Sequence, residues 1–252
     1  MQRGFSLVEL SIVLVILGLL TGGILAGQSL IRAAELRAVS TEYQRWVSAA
    51  NSFRDKYFSL PGDMTNATKF WGDDNAVCPT ADPNGTPGTC NGNGNGLIQL
   101  AGISPYEQHR IWQQLALAGL IEGSYTGVAG PGGASHVVVG QNAPKSRFGN
   151  NGWGIEAYAD YAGDSGWYAF KYGNVLTTGG QGATENPTNA TFTPEEAWNI
   201  DTKLDDGRPA YGKVVAIRYT TCTFSTTFND YNKDYRLAEK TQGCALGFPN
   251  AF

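Results

Sequence analysis

At 252 residues and a net charge of −4, the chain is long enough for one well-buried domain and lacks the basic surplus that holds nucleic acid. Charged residues make up only 16%, against about 25% in ordinary soluble domains, and 33 glycines fill much of the gap. This composition suits an exposed, turn-rich β surface and argues against a cytosolic enzyme.

The first 26 residues, MQRGFSLVELSIVLVILGLLTGGILA, join a short basic leader to an apolar run. About 20 apolar residues at roughly 1.5 Å each match a hydrocarbon core of about 30 Å, so a membrane is an expected partner. A secretory signal is cut after its apolar stretch. Here the only processing-like junction, between Gly4 and Phe5, precedes the stretch, which is therefore expected to be kept. Glu9 lies inside it, where a carboxylate costs on the order of 2.5–3.5 kcal/mol on insertion scales and calls for a partner. A cut after Gly4 would give Phe5 an α-amine within helical reach of Glu9, in the same chain or in a neighbouring copy. Arg3 suits a cytoplasmic leader.

The pattern G-F-S-L-V-E-L over residues 4–10 resembles the class III signal of type IV pilins and type II secretion pseudopilins. The resemblance implies that prepilin peptidase cuts between Gly4 and Phe5, that Phe5 becomes N-methylated, and that Glu9 neutralises the terminal amine of an adjacent subunit during assembly. It implies a single-pass inner-membrane precursor with a periplasmic head, later a subunit of a surface filament or a periplasmic pseudopilus. Its partners would be copies of itself, sibling pilins and an assembly platform. The expected role is a structural subunit of a pilus-like filament acting in adhesion, motility or surface interaction; the alternatives are a minor pseudopilin of a secretion system and a DNA-uptake pilin.

From residue 5 to about 57 no proline occurs, and Leu36, Val39, Tyr43, Trp46, Ala50, Phe53 and Tyr57 recur at three- and four-residue steps. That predicts one helix of about 80 Å, with 5–26 in membrane or filament core and the remainder under a head. Gly18, Gly22, Gly23 and Gly27 make the middle the place to bend, or else permit close helix packing as small residues do in membranes. The organisation expected is a leader over 1–4, a helix over 5–57 and a globular head over 58–252.

A stretch dense in Gly, Pro, Asn and Asp follows, to about residue 96. Ser104, Pro105 and Glu107 then predict a capped helix running to about 118, stopped at Gly119; Thr193, Pro194 and Glu196 predict a second, ended before Gly207. Runs rich in β-branched and aromatic residues at 136–139, 153–159, 167–172, 174–178 and 213–220 predict strands, with a hairpin turn at 163–166. Helices segregated from an antiparallel meander give an α+β class, with the long helix laid on one sheet face. Weaker likenesses to the heads of large pilin-like proteins lie in LPGDM, CNGNGNGLI and PEEAWNIDTKLDDGRPAYGKV.

Cys78, Cys90, Cys222 and Cys244 follow the membrane segment, on the side expected to be oxidising. Four cysteines allow three connectivities; proximity favours Cys78 with Cys90 and Cys222 with Cys244, each worth roughly 3 kcal/mol. Type IV pilins are similar in often closing a C-terminal loop this way. Asn91, Asn93 and Asn95 with Gly96 copy half of a calcium loop without its carboxylates, and Asp201, Asp205 and Asp206 form an acidic cluster. Both are calcium candidates, set against a glycine-rich turn and a capped helix end. No cofactor is otherwise indicated. His109 and His136 are the only histidines, with no H-E-x-x-H or G-x-S-x-G, so the chain is read as not an enzyme, with His109 on a solvated surface.

Overall fold

The computed structural model describes residues 6–72, 88–99 and 107–252. Helix α1, Leu7–Tyr57, runs 51 residues without interruption. The Ser6 hydroxyl accepts from the Val8 amide at 3.2 Å while the Ser6 amide donates to Glu9 at 2.8 Å, so both ends of a capping box are made. The helix stops where Phe58 turns left-handed, its N–H donating to the Arg54 carbonyl at 2.8 Å. The stripe expected from the sequence is the one that packs: Val39, Trp46, Ala50 and Phe53 are buried, and Leu36, Tyr43 and Tyr57 are partly so. The helical hydrogen-bonded run continues unbroken through the four glycines.

Beyond α1 come α2 (Thr68–Trp71), α3 (Glu107–Leu117), β1 (Asn151–Tyr158), β2 (Gly173–Gly180), α4 (Pro194–Leu204), β3 (Val215–Ile217), α5 (Tyr219–Cys222) and β4 (Ala245–Phe248). The start expected for α3 at 104–106 lies outside the described residues. For α4 the capping box is present, with Thr193 Oγ1 accepting from the Glu196 amide at 3.3 Å and Glu196 accepting from the Thr193 amide at 2.9 Å. Gly119 and Gly207 follow their helices at φ of 72° and 76°, conformations glycine adopts without strain.

The described strands pair antiparallel in the order β1-β2-β4-β3. With the long helix this is an α+β arrangement, but it is not the expected meander, because β4 inserts between β2 and β3. Two expected strands are absent. Residues 136–139 contribute one bridge, Val139 to Ala143, and 167–172 one bridge, Phe170 to Tyr161. The turn at 163–166 closes that second bridge, Asp164 accepting from the amides of Gly166 and Trp167. The 213–220 run stops at Ile217 because Arg218 turns left-handed, at φ 63°, and leads into α5.

Each sheet face has its own cover. Trp153, Ile155, Leu176, Leu246 and Phe248 face α1, with Tyr43 stacked on Phe248 at 4.5 Å and Trp46 edge-on to Trp153 at 6.5 Å. Val175, Val215, Ile217 and Ala245 face the other way, under Trp167 and Tyr172. The 167–172 run therefore supplies the lid of the outer face instead of a strand in it. Trp112 brings α3 against Trp46 at 5.5 Å.

Two polar fixtures seat α1. Glu42, on the buried stripe, accepts from Ser146 Oγ at 2.7 Å, the Arg147 amide at 2.9 Å and Trp153 Nε1 at 2.9 Å. Arg32 grips both oxygens of Glu196, at 2.5 and 2.9 Å, and lies 4.0 Å over the Phe148 ring. A disulfide joins Cys222 to Cys244, Cα atoms 4.9 Å apart, tying α5 to the start of β4. Cys90 is not free, and Cys78 lies outside the described residues.

His109 is fully buried in α3, not on a solvated surface, with Nε2 3.2 Å from the Ala134 carbonyl oxygen and 3.0 Å from Gln108 Nε2. Burial pushes its pKa down to about 4, the Ala134 carbonyl opposing and Arg110 and His136 assisting.

Two outcomes follow. Glu42→Ala leaves two buried donors, Ser146 Oγ and Trp153 Nε1, and the part-buried Arg147 amide without their acceptor, and should lower the stability of the full chain in micelles by about 2–4 kcal/mol, read as a lower near-UV melting midpoint; an unchanged midpoint would refute the anchoring role. For His109 the folded pKa lies below the unfolded value of about 6.5. Its contribution is therefore complete above that pH and lost as pH falls toward 4, by on the order of 3 kcal/mol. His109→Gln should remove that loss, so the stability difference between wild type and variant should move in the variant's favour from pH 7 to pH 4. A constant difference would contradict the buried neutral ring.

Candidate functional site

The exposed half of α1 is the part of the molecule that its own fold leaves unfinished. Between Glu9 and Arg32 lie 22 uncharged residues, about 33 Å of helix at 1.5 Å each. An 18-residue apolar window in this helix has no buried residue, and Leu7, Leu19 and Leu30 are 86%, 72% and 72% exposed. Each such side chain forgoes about 1.5–3 kcal/mol while it stays in water. The three hydroxyls bond within the helix: Ser11 Oγ donates to the Val8 carbonyl at 2.9 Å, Thr21 Oγ1 to Leu17 at 2.9 Å and Ser29 Oγ to Ala26 at 2.8 Å. That leaves the hydroxyls satisfied without water, as hydrocarbon requires.

Glu9 folds back on the first turn to reach the Ser6 amide. The carboxylate thus points toward the N-terminal end of the helix, where positive partial charge collects. Gly4 and Phe5 themselves are outside the described residues. At Gly18, Gly22, Gly23 and Gly27 an added Cβ would meet nothing within 4 Å among the described residues, so the fold of a single chain gives no reason for these glycines. They are paired at four-residue spacing, Gly18 with Gly22 and Gly23 with Gly27, the small-xxx-small pattern that brings helices close in membranes.

The head brings together one calcium candidate set and uses the other differently. Asp201, Asp205 and Asp206 each place a carboxylate oxygen within 4.8 Å of the others. Asp201 is buried, accepting from Tyr235 at 2.8 Å and the Gly207 amide at 3.1 Å, and burial, before the neighbouring acids, pushes it up to about 7. Asp205 accepts from the Lys213 amide and Asp206 from the Arg208 amide. In the 91–97 loop the three asparagine oxygens accept from amides: Asn91 from Thr68, Asn93 from Asn95, Asn95 from Leu97. The loop's centre holds the Asp63 carboxylate, which accepts from the amides of Gly94, Asn95 and Gly96 at 2.6, 3.1 and 2.8 Å. Amides converging on a carboxylate make an anion nest, the opposite polarity to a cation loop.

Three contributors escaped the sequence reading. Glu42 had a readable signal, since it stands three residues after Val39 and four before Trp46, on the apolar stripe. Arg32 is the first charge after the apolar run. Glu156, buried on the outer sheet face where Asn186 Nδ2 donates to it at 2.8 Å, had none.

With the geometry in place, comparison adds one finding to the handle and none to the head. No curated protein and no solved structure matches the chain. Residues 1–25 match the prokaryotic N-terminal methylation motif, so the exposed end of α1 carries the signal with which precursors of type IV pilins and pseudopilins begin.

Proposed function

We propose that this chain is a prepilin whose mature form is a structural subunit of a pilus-like surface filament, working mechanically or adhesively and not as an enzyme. One observation carries the reading: a single continuous helix is bare from Leu7 to Leu30 and packed under a head from Val39 onward, behind a methylation signal. The bare half has two successive ways to leave water. In the precursor it lies in the inner membrane, with the leader cytoplasmic and the head beyond; in the fibre it lies among the same segments of copies or sibling subunits. Prepilin peptidase cuts between Gly4 and Phe5, and an assembly platform extracts the product.

In that fibre Glu9 sets axial register by pairing with the Phe5 amine of a neighbour. The paired glycines let adjacent helices approach, which accounts for positions that a single chain leaves open. The same handle serves a minor, tip-located subunit of a secretion pseudopilus or a DNA-uptake pilin. Electron microscopy of sheared, antibody-labelled surface fibres separates them, since labelling along the shaft marks a main filament subunit and labelling only at ends marks a minor one.

Glu9→Ala should leave membrane insertion and leader removal intact while cutting fibre number by about tenfold or more, the scale of a lost charge pair in a low-dielectric core. Gly22→Leu should keep the head's melting midpoint and also reduce fibres. Normal fibre counts from Glu9→Ala would sink the register role.

A further inference from the structure

The outer face of the sheet, opposite α1, carries a cavity of about 560 Å³. Its walls stand close because glycine occupies the face beneath them. A Cβ on Gly154 would lie 2.6 Å from Asn186 Oδ1 and from Pro187 Cδ, one on Gly179 2.8 Å from the carbonyl oxygens of Pro187 and Asn189, and one on Gly247 3.1 Å from the Trp167 ring. Three bare positions thus let the 186–189 segment and Trp167 lie directly on the strands, with the cavity between them.

The lining is acidic and aromatic. Glu156 is buried beside Asn186, which donates Nδ2 to it at 2.8 Å and keeps a buried Oδ1 without a hydrogen-bond partner. Asp164 accepts from the Tyr161 hydroxyl at 2.5 Å and from two amides; burial works against its charge, but these bonds hold its carboxyl below the usual range and therefore ionised. The Tyr158 ring packs 4.7 Å from Tyr161 and 5.0 Å from Trp167. Among the described residues the lining holds one base, Arg218, against three acids: its Nε donates to the Thr188 carbonyl and Nη2 to Asn189, both at 2.8 Å, Nη2 stands 4.0 Å from Glu185, and its charge helps keep Asp164 ionised. Negative charge is in excess and ring surface is at hand.

We propose that this cavity binds an organic cation, an alkylammonium group of the kind found on a lysine side chain or on choline, held against Tyr158 and Tyr161 with Glu156 and Asp164 as counter-charges. Aromatic faces attract such cations, the more so where water is excluded. A neutral sugar would bring no charge to answer Glu156 and Asp164, whereas an ammonium group answers both. Burial, ahead of the opposing bonds from Tyr158 and Asn186 and the added push of Glu185 and Asp164, raises Glu156 to about 7. With Asp164 already ionised and Tyr158 and Tyr161 neutral, the ionisation of Glu156 changes near neutrality, and cation binding should strengthen as pH rises through 7.

The test is calorimetric titration of the full chain in a non-ionic, choline-free detergent with N-α-acetyl-lysine methylamide, choline and maltose. Either cation should bind with a Kd below about 1 mM, up to tenfold tighter at pH 8 than at pH 6; which binds tighter identifies the source of the ammonium. Glu156→Gln should weaken binding about tenfold and abolish the pH dependence, and Asp164→Asn, should Glu156→Gln fail to fold, should weaken it comparably. No cation binding at about 10 mM, binding that both variants leave unchanged, or maltose binding as well as the cations would overturn the proposal.

Discussion

Everything in this molecule follows from one helix that has to satisfy two different solvents. From Leu7 to Leu30 no residue of α1 is buried among the described residues, and from Val39 to Phe53 the helix supplies the central stripe of a core. The two halves meet at Arg32, the first charge after the apolar run, whose fork on Glu196 and stacking on Phe148 fix the point where the helix enters the head. Glu196 also caps α4, so one carboxylate ties the entry of the long helix to the start of a second. A bidentate Arg–carboxylate pair adds direction as well as attraction, which a helix entering a head at one point requires.

Inside the head the polar work falls to carboxylates that face N–H and O–H groups more than bases. Glu42 holds an indole, a hydroxyl and an amide; Asp63 holds three amides; Glu107 accepts from the amides of Asn93 and Gln99; Asp201 holds a tyrosine and an amide. A chain with only 18 Lys and Arg and 33 Gly has many bare turns and few cations. Acids that gather turn amides fix those turns without needing a partner charge. Burial raises Glu107, Glu156 and Asp201 to about 7, so these carboxyls gain and lose their charge near neutral pH, where ordinary carboxyls are fully ionised.

Signals confined to a few consecutive residues were legible in the sequence, and those that depend on pairing were not. The α1 stripe and the Thr193 box are local patterns, and the structure keeps both. β4 is four residues, Ala-Leu-Gly-Phe, whose place between β2 and β3 comes from partners 28 and more positions away. The 167–172 run has strand composition, yet Trp167 and Tyr172 have more to gain as the cover of an apolar sheet face that nothing else closes. Glu9 was legible because an acid in an apolar run is an anomaly in one dimension. Glu156 became noticeable only once folding surrounded it with Asp164, Glu185 and the tyrosines.

Glycine separates the handle from the head more sharply than any other residue type. At Gly154, Gly179 and Gly247 a methyl group would strike atoms of the same chain, so those positions are fixed by the fold of one subunit. At Gly18, Gly22, Gly23 and Gly27 it would strike nothing among the described residues, and each lowers helix stability by about 1 kcal/mol relative to alanine. A cost with no benefit inside the subunit points to a benefit outside it, in the close approach of another helix. The head can therefore be altered through its glycines without touching the apolar half of α1, and that half can be altered without unfolding the head. That is the independence a common handle needs if it is to carry different heads.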